Sequence, residues 1–158
     1  MSDPLDAAAV EAGLEIPPFV RETGFANWNR FAAVNDEFIP IHMDDAEAVK
    51  VGQKAAFGMG NLRVAYLHDA LEAWLGSSGG IVEVSAQFRG LNFKGDTLTT
   101  TGRVTGVEDG HSPGSALVHL AMSVTNQDGV DTTPSTASDM LWGDAGPTVT
   151  VEPPRAGP

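Results

Sequence analysis

Residues 58–76 read GMGNLRVAYLHDALEAWLG, and this stretch decides the fold. Apolar or small side chains recur at helical spacing and predict one long helix that begins near Gly58 and ends at Gly76. Its broad apolar face consists of Leu62, Ala65, Tyr66, Ala70, Ala73 and Trp74. Further apolar residues, Val64, Leu67, Leu71 and Leu75, cover most other sides. A helix so apolar is expected to be embedded in a sheet.

After this helix the hydrophobic period changes from 3.6 to 2, which predicts β-strands. Residues 81–88, 97–107 and 115–129 alternate and are rich in Val, Thr and Leu, with Gly, Asp or Pro at their ends. A further strand is expected within residues 133–142. Strands that follow helices in this order indicate an α+β fold, with an antiparallel sheet wrapped around the long central helix.

The segment before residue 58 predicts two short helices. Residues 26–34 have helical spacing with Asn27 as N-cap, and residues 46–51 follow a cap at Asp44 or Asp45. We therefore divide the chain into three parts. Residues 1–13 are predicted to be a flexible arm, residues 14–142 the folded domain and residues 143–158 a tail rich in Pro and Gly.

Composition excludes several classes of function. The chain has 158 residues and carries nine Lys and Arg against 21 Asp and Glu, a net charge of −12, which argues against partners such as nucleic acid or an anionic membrane. No cysteine is present, so no disulfide, thiolate zinc site or Cys nucleophile is expected. We expect no metal and no cofactor. With no apparent export signal or membrane span, the sequence predicts a cytoplasmic protein.

The densest polar cluster, residues 35–42, reads NDEFIPIH. A bend at Pro40 can bring Asp36 or Glu37 to His42, and a carboxyl group and an imidazole can hold one water between them. The imidazole accepts a proton near neutral pH and the carboxylic acid can return one, as addition of water to a double bond requires. The alternative is structural, with an Asx-type turn, a solvated Glu37 and a His42 that donates to a backbone carbonyl.

Two further groups are candidates for ligand binding. Gly58 and Gly60, with Met59 between them, allow close approach to the free N–H groups of the first helical turn, which could stabilise an oxyanion; the alternative is tight packing at a junction. A local basic patch for phosphate could form from middle-chain cations: Arg63, Arg89, Lys94 and Arg103. Residues 94–96 are also typical of a hairpin or bulge turn. The other histidines, among them His68, have no partner at a telling spacing.

These pieces, in this order, resemble the MaoC-like dehydratases of the hotdog fold, the (R)-specific enoyl-CoA hydratases. The matching stretches are FAAVNDEFIPIHMDD, FGMGNLRVAYL and VSAQFRGLNFKGDTLTTTGRV. The family reads S-G-D-x-N-P-x-H, then H-G-M, then R-F-x-x-P-V-x-x-G-D-T-L. Its Asp and His share the catalytic water, and the glycine N–H of H-G-M binds the thioester oxygen. By position, His42, Pro40 and Gly58 match the histidine, the proline and that glycine.

Several departures from this pattern bear on the candidate site. Glu37 stands at the family aspartate, Asp36 at the preceding glycine and Ile39 at the asparagine, and Phe57 replaces the histidine before Gly58. Glu37 reaches about one methylene farther than Asp, so either Glu37 or Asp36 could act. The missing asparagine removes a polar group that would help to fix the loop.

The resemblance implies a five-stranded sheet around one helix, two hotdogs side by side and an acyl-CoA at the subunit junction. The expected activity is reversible hydration of trans-2-enoyl-CoA to (R)-3-hydroxyacyl-CoA, with acyl-CoA as substrate. Two alternatives stay open: a non-catalytic acyl-CoA-binding subunit of a heteromeric dehydratase, and a hotdog thioesterase. The expected assembly is a homodimer, or a heteromer with a second hotdog chain.

Overall fold

A computed structural model describes residue 5 and residues 9–77, 79–110, 115–133 and 148–152. Three helices are present in this part of the chain, α1 (Phe25–Asn35), α2 (Asp45–Lys50) and α3 (Gly60–Leu75), with a 3₁₀ turn over Pro40–His42. The strands are β1 (Phe19–Glu22), β2 (Gly80–Ser85), β3 (Thr97–Asp109), β4 (Ala116–Thr125) and β5 (Thr148–Glu152).

The five strands form one antiparallel sheet in the order β1-β3-β4-β5-β2. Helix α3 packs against this sheet, and Leu67 and Leu71 of the helix meet Leu98 and Leu120 of the strands in a core where each is at most 1% exposed. The predicted α+β hotdog architecture, with a sheet around one long helix, is confirmed. The same strand alternation that predicts β3 and β4 places their apolar side chains on the helix side.

The two short helices form close to their predicted positions. Asp44 caps α2, since its Oδ1 accepts from the N–H of Ala46 at 2.7 Å. Asn27, in contrast, is not the N-cap of α1. The cap is Gly24, whose N–H donates to Asn27 Oδ1 at 2.8 Å, so Asn27 stabilises the helix start from its first turn.

The C-terminal strand corrects the predicted tail. Residues Thr148–Glu152 form β5, which lies between β4 and β2 and pairs with both. The β-branched run TVTV explains the strand, while the surrounding Pro and Gly concealed it from sequence reasoning. The strand expected within residues 133–142 lies outside the described residues, apart from Thr133.

Part of the predicted N-terminal arm packs onto the domain. Most of residues 1–8 lie outside the described residues, but Val10 is 7% exposed within the core, and the N–H of Gly13 donates to Val104 O at 2.8 Å. The boundary drawn at residue 14 therefore cuts through contacts with β3.

Residues 94–96 form a turn, as predicted, but not a hairpin. The N–H of Asp96 donates to Phe93 O at 3.1 Å, and Gly95 supplies a φ of +91°. Residues 86–92 before it are not a strand, so the turn connects a loop to β3. Within the described residues, no helix combines the length and the apolar character needed to cross a membrane.

Candidate active site

His42 ends the 3₁₀ turn that Pro40 begins, and its side chain is 8% exposed. Its Nδ1 lies 2.8 Å from the carbonyl oxygen of Phe57, and its ring meets the Phe57 ring edge-on at 4.9 Å. A carbonyl oxygen only accepts, so Nδ1 carries the hydrogen and neutral His42 keeps its lone pair on Nε2. The structure thus leaves one defined nitrogen that can accept a proton.

Glu37 is the carboxylate that the fold brings to this place. Its Oε2 accepts from Asn61 Nδ2 at 3.5 Å, at the start of α3 and four residues from the carbonyl that holds His42. Asp36 instead ends α1 with a φ of +53°, and it is exposed. Asp36 therefore serves as a left-handed helix cap, and Glu37 is the better candidate for the carboxylate that works with His42.

Gly58 is held differently from the sequence prediction. Its N–H donates to the backbone carbonyl of Asn92 at 2.8 Å, so this N–H is engaged and the prediction that it meets the thioester oxygen is wrong for this structure. A Cβ on Gly58 would lie 2.6 Å from Asn92 Oδ1. Glycine is required here because the Asn92 side chain, 1% exposed, fills the space behind it.

The free N–H groups begin one residue later. The amides of Met59, Gly60 and Asn61 precede the first intrahelical hydrogen bond of α3, and no hydrogen bond among the described residues uses them. They carry the positive end of the helix dipole. The ring of Phe88 lies against Gly60, where a Cβ would come within 2.8 Å of Phe88 Cδ2. Of the three predicted residues, Met59 and Gly60 keep free donors.

Arg63 does not form part of a phosphate site. It is 3% exposed, and its Nη1 donates to the carbonyls of Gly90 at 2.6 Å and Thr132 at 3.0 Å. Burial lowers the pKa of its guanidinium to about 10, which still leaves it charged at neutral pH. Because its donors face the protein interior, Arg63 fastens two loops to α3, and the prediction of a phosphate contact is wrong.

The remaining predicted cations stay at the surface. Arg89 is exposed and donates to Gln87 Oε1 at 2.8 Å, and Lys94 Nζ lies 3.4 Å from Asp45 Oδ2. Lys54, which sequence reasoning missed, places its Nζ 4.0 Å from the ring centroid of Phe93. The bridge between Phe93 and Phe57 puts these lysines close to the segment that holds His42.

Asp45 anchors the segment that leads into the site. Its Oδ1 accepts from the N–H of Ala56 at 2.9 Å, one residue before Phe57. This backbone hydrogen bond, followed by the charge of Lys94, holds the pKa of the Asp45 carboxyl below its usual 3.8. Within the described residues, no group of three His, Asp or Glu side chains could hold a metal ion.

Sequence reasoning missed two asparagines of this site, Asn61 and Asn92. Asn92 interrupts the apolar pair Leu91 and Phe93, and a polar residue in such a run is a usable signal of a buried hydrogen bond. Its Nδ2 donates to Thr23 Oγ1 at 3.1 Å. Asn61 gave no signal beyond its place next to a glycine motif.

Residues 17–126 match the protein family described as "MaoC like domain". The chain belongs to the MaoC-like domain family. This span covers more than half of the chain and includes His42, Glu37 and Gly58. No curated protein matches the chain.

Three solved structures illustrate the fold likeness. The (R)-hydratase from A. caviae involved in PHA biosynthesis is 22% identical with a TM-score of 0.75, covering 92% of this chain and 98% of that one. R-hydratase PhaJ1 from Pseudomonas aeruginosa is 20% identical with a TM-score of 0.78, covering 96% and 86%. The ChsH1-ChsH2 complex from Mycobacterium tuberculosis is 22% identical with a TM-score of 0.69, covering 90% and 96%. At these identities the likeness shows the hotdog fold of this MaoC-like chain.

Proposed function

We propose that this MaoC-like protein catalyses the reversible hydration of a trans-2-enoyl-CoA to an (R)-3-hydroxyacyl-CoA. One observation carries the proposal: residues 57–61 hold both reacting groups, His42 through the Phe57 carbonyl and Glu37 through Asn61. A base and a carboxyl group that contact one short segment can orient a single water. Membership of the MaoC-like family supports this assignment.

In this reaction His42 Nε2 takes a proton from a water that the Glu37 carboxylate orients. The water oxygen bonds to C3 of the enoyl group while the C2–C3 double bond becomes an enolate. His42, now protonated, returns the proton to C2, and the enolate collapses to the thioester. One water is added in total, and His42 ends as it began.

The reaction also requires hydrogen-bond donors that stabilise the negative charge on the enolate oxygen. The N–H groups of Met59 and Gly60 are proposed donors, since they are free and lie at the positive end of α3. Gly58 has an indirect role, because its lack of a side chain allows the backbone to pass close to Asn92. Developing negative charge is then stabilised by donors that are already oriented.

The exposed cationic side chains near the site are the candidates for binding the phosphates of coenzyme A. Lys54 and Lys94 lie beside Phe93 and Phe25, and Arg89 lies on the loop that contains Phe88. On a chain of net charge −12, such a local patch is needed to attract a polyanionic ligand. Lys54 replaces Arg63 in this role.

We propose further that the protein works as a homodimer in the cytoplasm, within lipid metabolism. Strand β2 ends the sheet, so one of its edges pairs with no strand of the described residues. Exposed Val82 lies on this strand. A heteromer with a second hotdog chain is the alternative, and the ChsH1-ChsH2 complex with the same fold supports keeping it.

The test is a turnover assay with purified protein and crotonyl-CoA, together with longer and ring-bearing enoyl-CoAs. Absorbance of the conjugated thioester should fall. Glu37→Gln should reduce kcat by about 10²-fold or more, and Asp36→Asn should leave it within about twofold, since Asp36 caps a helix.

Three results would redirect the assignment. Release of free CoA would identify a thioesterase. Turnover only after addition of a second hotdog chain would identify a non-catalytic subunit. Consumption of no enoyl thioester under either condition would exclude hydratase activity.

A further inference from the structure

The Glu37 side chain has one described hydrogen bond, and it comes from α3. The backbone of Glu37 is fixed on both sides, since its N–H donates to Ala32 O at 3.0 Å and its carbonyl accepts from Ile39 at 3.1 Å. The side chain adds three rotatable bonds beyond that backbone. Asn61 Nδ2, 3.5 Å from Oε2, is the contact that limits them.

The loop itself offers no substitute for this contact. Phe38 and Ile39 are apolar and are 59% and 40% exposed, and Asp36 is an exposed helix cap. Ile39 occupies the place where the resembling family has an asparagine. An amide that is absent from the loop is thus present on the helix that faces it.

Asn61 also belongs to the segment that fixes His42. It lies four residues after Phe57, whose carbonyl accepts from His42 Nδ1 at 2.8 Å. A side chain held by this segment is therefore fixed relative to the imidazole as well. As a neutral donor, Asn61 orients the carboxylate and adds no charge to it.

From this placement we infer that Asn61 is a positioning residue, which supplies from α3 the amide that orients Glu37 toward the water shared with His42. The inference rests on the proposed hydratase function for its role in turnover. The contact itself is independent of that function.

Three variants test the inference, with Asn29 as matched control because it is an exposed asparagine on α1. Asn61→Ala should lower kcat by about tenfold at nearly constant KM, since a misoriented group acts in the chemical step. Asn61→Gln keeps the amide and should restore most of kcat. Asn29→Ala should match the wild type.

The charge variant tests whether position 61 lies beside the Glu37 carboxyl. Asn61→Asp places a negative charge beside Glu37 and should move the acid limb of the kcat/KM profile upward by about half a pH unit. NMR titration of the Glu37 carboxyl carbon in substrate-free protein should show the same direction. Asn29→Asp should move neither.

The outcomes separate the two proposals. An active wild type whose Asn61→Ala and Asn61→Asp variants keep normal kcat and normal pH profiles overturns the role of Asn61 and leaves the hydratase function intact. An inactive wild type whose Glu37 titration still responds to Asn61→Asp and not to Asn29→Asp supports the contact and overturns the function. Loss of kcat in Asn61→Ala without rescue by Asn61→Gln counts against orientation by the amide.

Discussion

The two ends of α3 each bring a histidine near a glutamate, by different means. At the N-terminal end, residues distant in sequence hold His42 and Glu37 through Phe57 and Asn61. In the C-terminal half, His68 and Glu72 are neighbours only because they lie one helical turn apart. They line a cavity of about 600 Å³ together with the glycines 76, 79 and 80.

The difference lies in how well each pair is held. His42 is 8% exposed with a defined tautomer, whereas no side-chain hydrogen bond or ion pair among the described residues holds His68 or Glu72. The helix dipole adds to the contrast, since its positive end favours an enolate and its negative end opposes one. Spacing alone places two groups near each other, and long-range contacts are what orient them.

The largest expected effect concerns the histidines of the two pairs. His42→Gln should lower kcat/KM for enoyl-CoA hydration by about 10²–10⁴-fold, because it removes the proton acceptor at Nε2. His68→Gln should change it by less than about twofold. Steady-state rates measure both, and circular dichroism checks the fold. Equal losses in the two variants would mean that the C-terminal cavity takes part in catalysis.

The next effect concerns the glycines at the two ends. Gly58→Ala places a methyl group 2.6 Å from Asn92 Oδ1 and should lower the free energy of unfolding by about 1–3 kcal/mol. Gly76→Ala, at φ +56° and ψ −126°, a combination that residues other than glycine rarely adopt, should cost about 1–3 kcal/mol. Urea denaturation measures both.

A double variant sharpens this prediction. Adding Asn92→Ala to Gly58→Ala should give a combined loss smaller than the sum of the two single losses, since the clash disappears. Strict additivity would show that the Asn92 side chain is not what requires glycine at position 58.

The smallest effect concerns the anchor of the N-terminal segment. The pKa of the Asp45 carboxyl lies below 3.8 because it accepts from the N–H of Ala56, so its charged form stabilises the fold. Asp45→Asn should lower Tm slightly at neutral pH. The difference should be complete above about pH 4 and disappear as pH falls through the folded pKa. A difference that persists in strong acid would point to packing instead.

Hydrophobic periodicity is sufficient to predict the elements whose own residues follow a regular helix or strand pattern. The apolar face of α3 and the alternation of β3 and β4 predict these elements directly, because helix and strand have different periods. Strand β5 has only five residues between two prolines, and pairing with β2 and β4 stabilises it. The β-branched run TVTV is a short local signal, and the remote partners decide whether such a run forms a strand.

For the candidate site, too, the sequence predicts some features and only the tertiary structure decides others. His42, Glu37 and the glycine motif were identified from motif order, while the choice of Glu37 over Asp36 required the left-handed cap geometry. Arg63 looked like a free cation because its two carbonyl partners lie 27 and 69 residues away. Motif order finds candidate residues, and tertiary partners decide which atoms are available.

The order of the strands also has a consequence for synthesis on the ribosome. Strand β2 is made early, but its sheet neighbour β5 begins 63 residues after Ser85. At roughly 5–20 residues per second, the ribosome needs about 3–13 s to make the intervening chain. During that time β2 offers unpaired N–H and C=O groups to any passing strand. Until β5 has been synthesised, the sheet of the nascent protein is incomplete. We expect binding of a chaperone to β2 to reduce aggregation most during this interval.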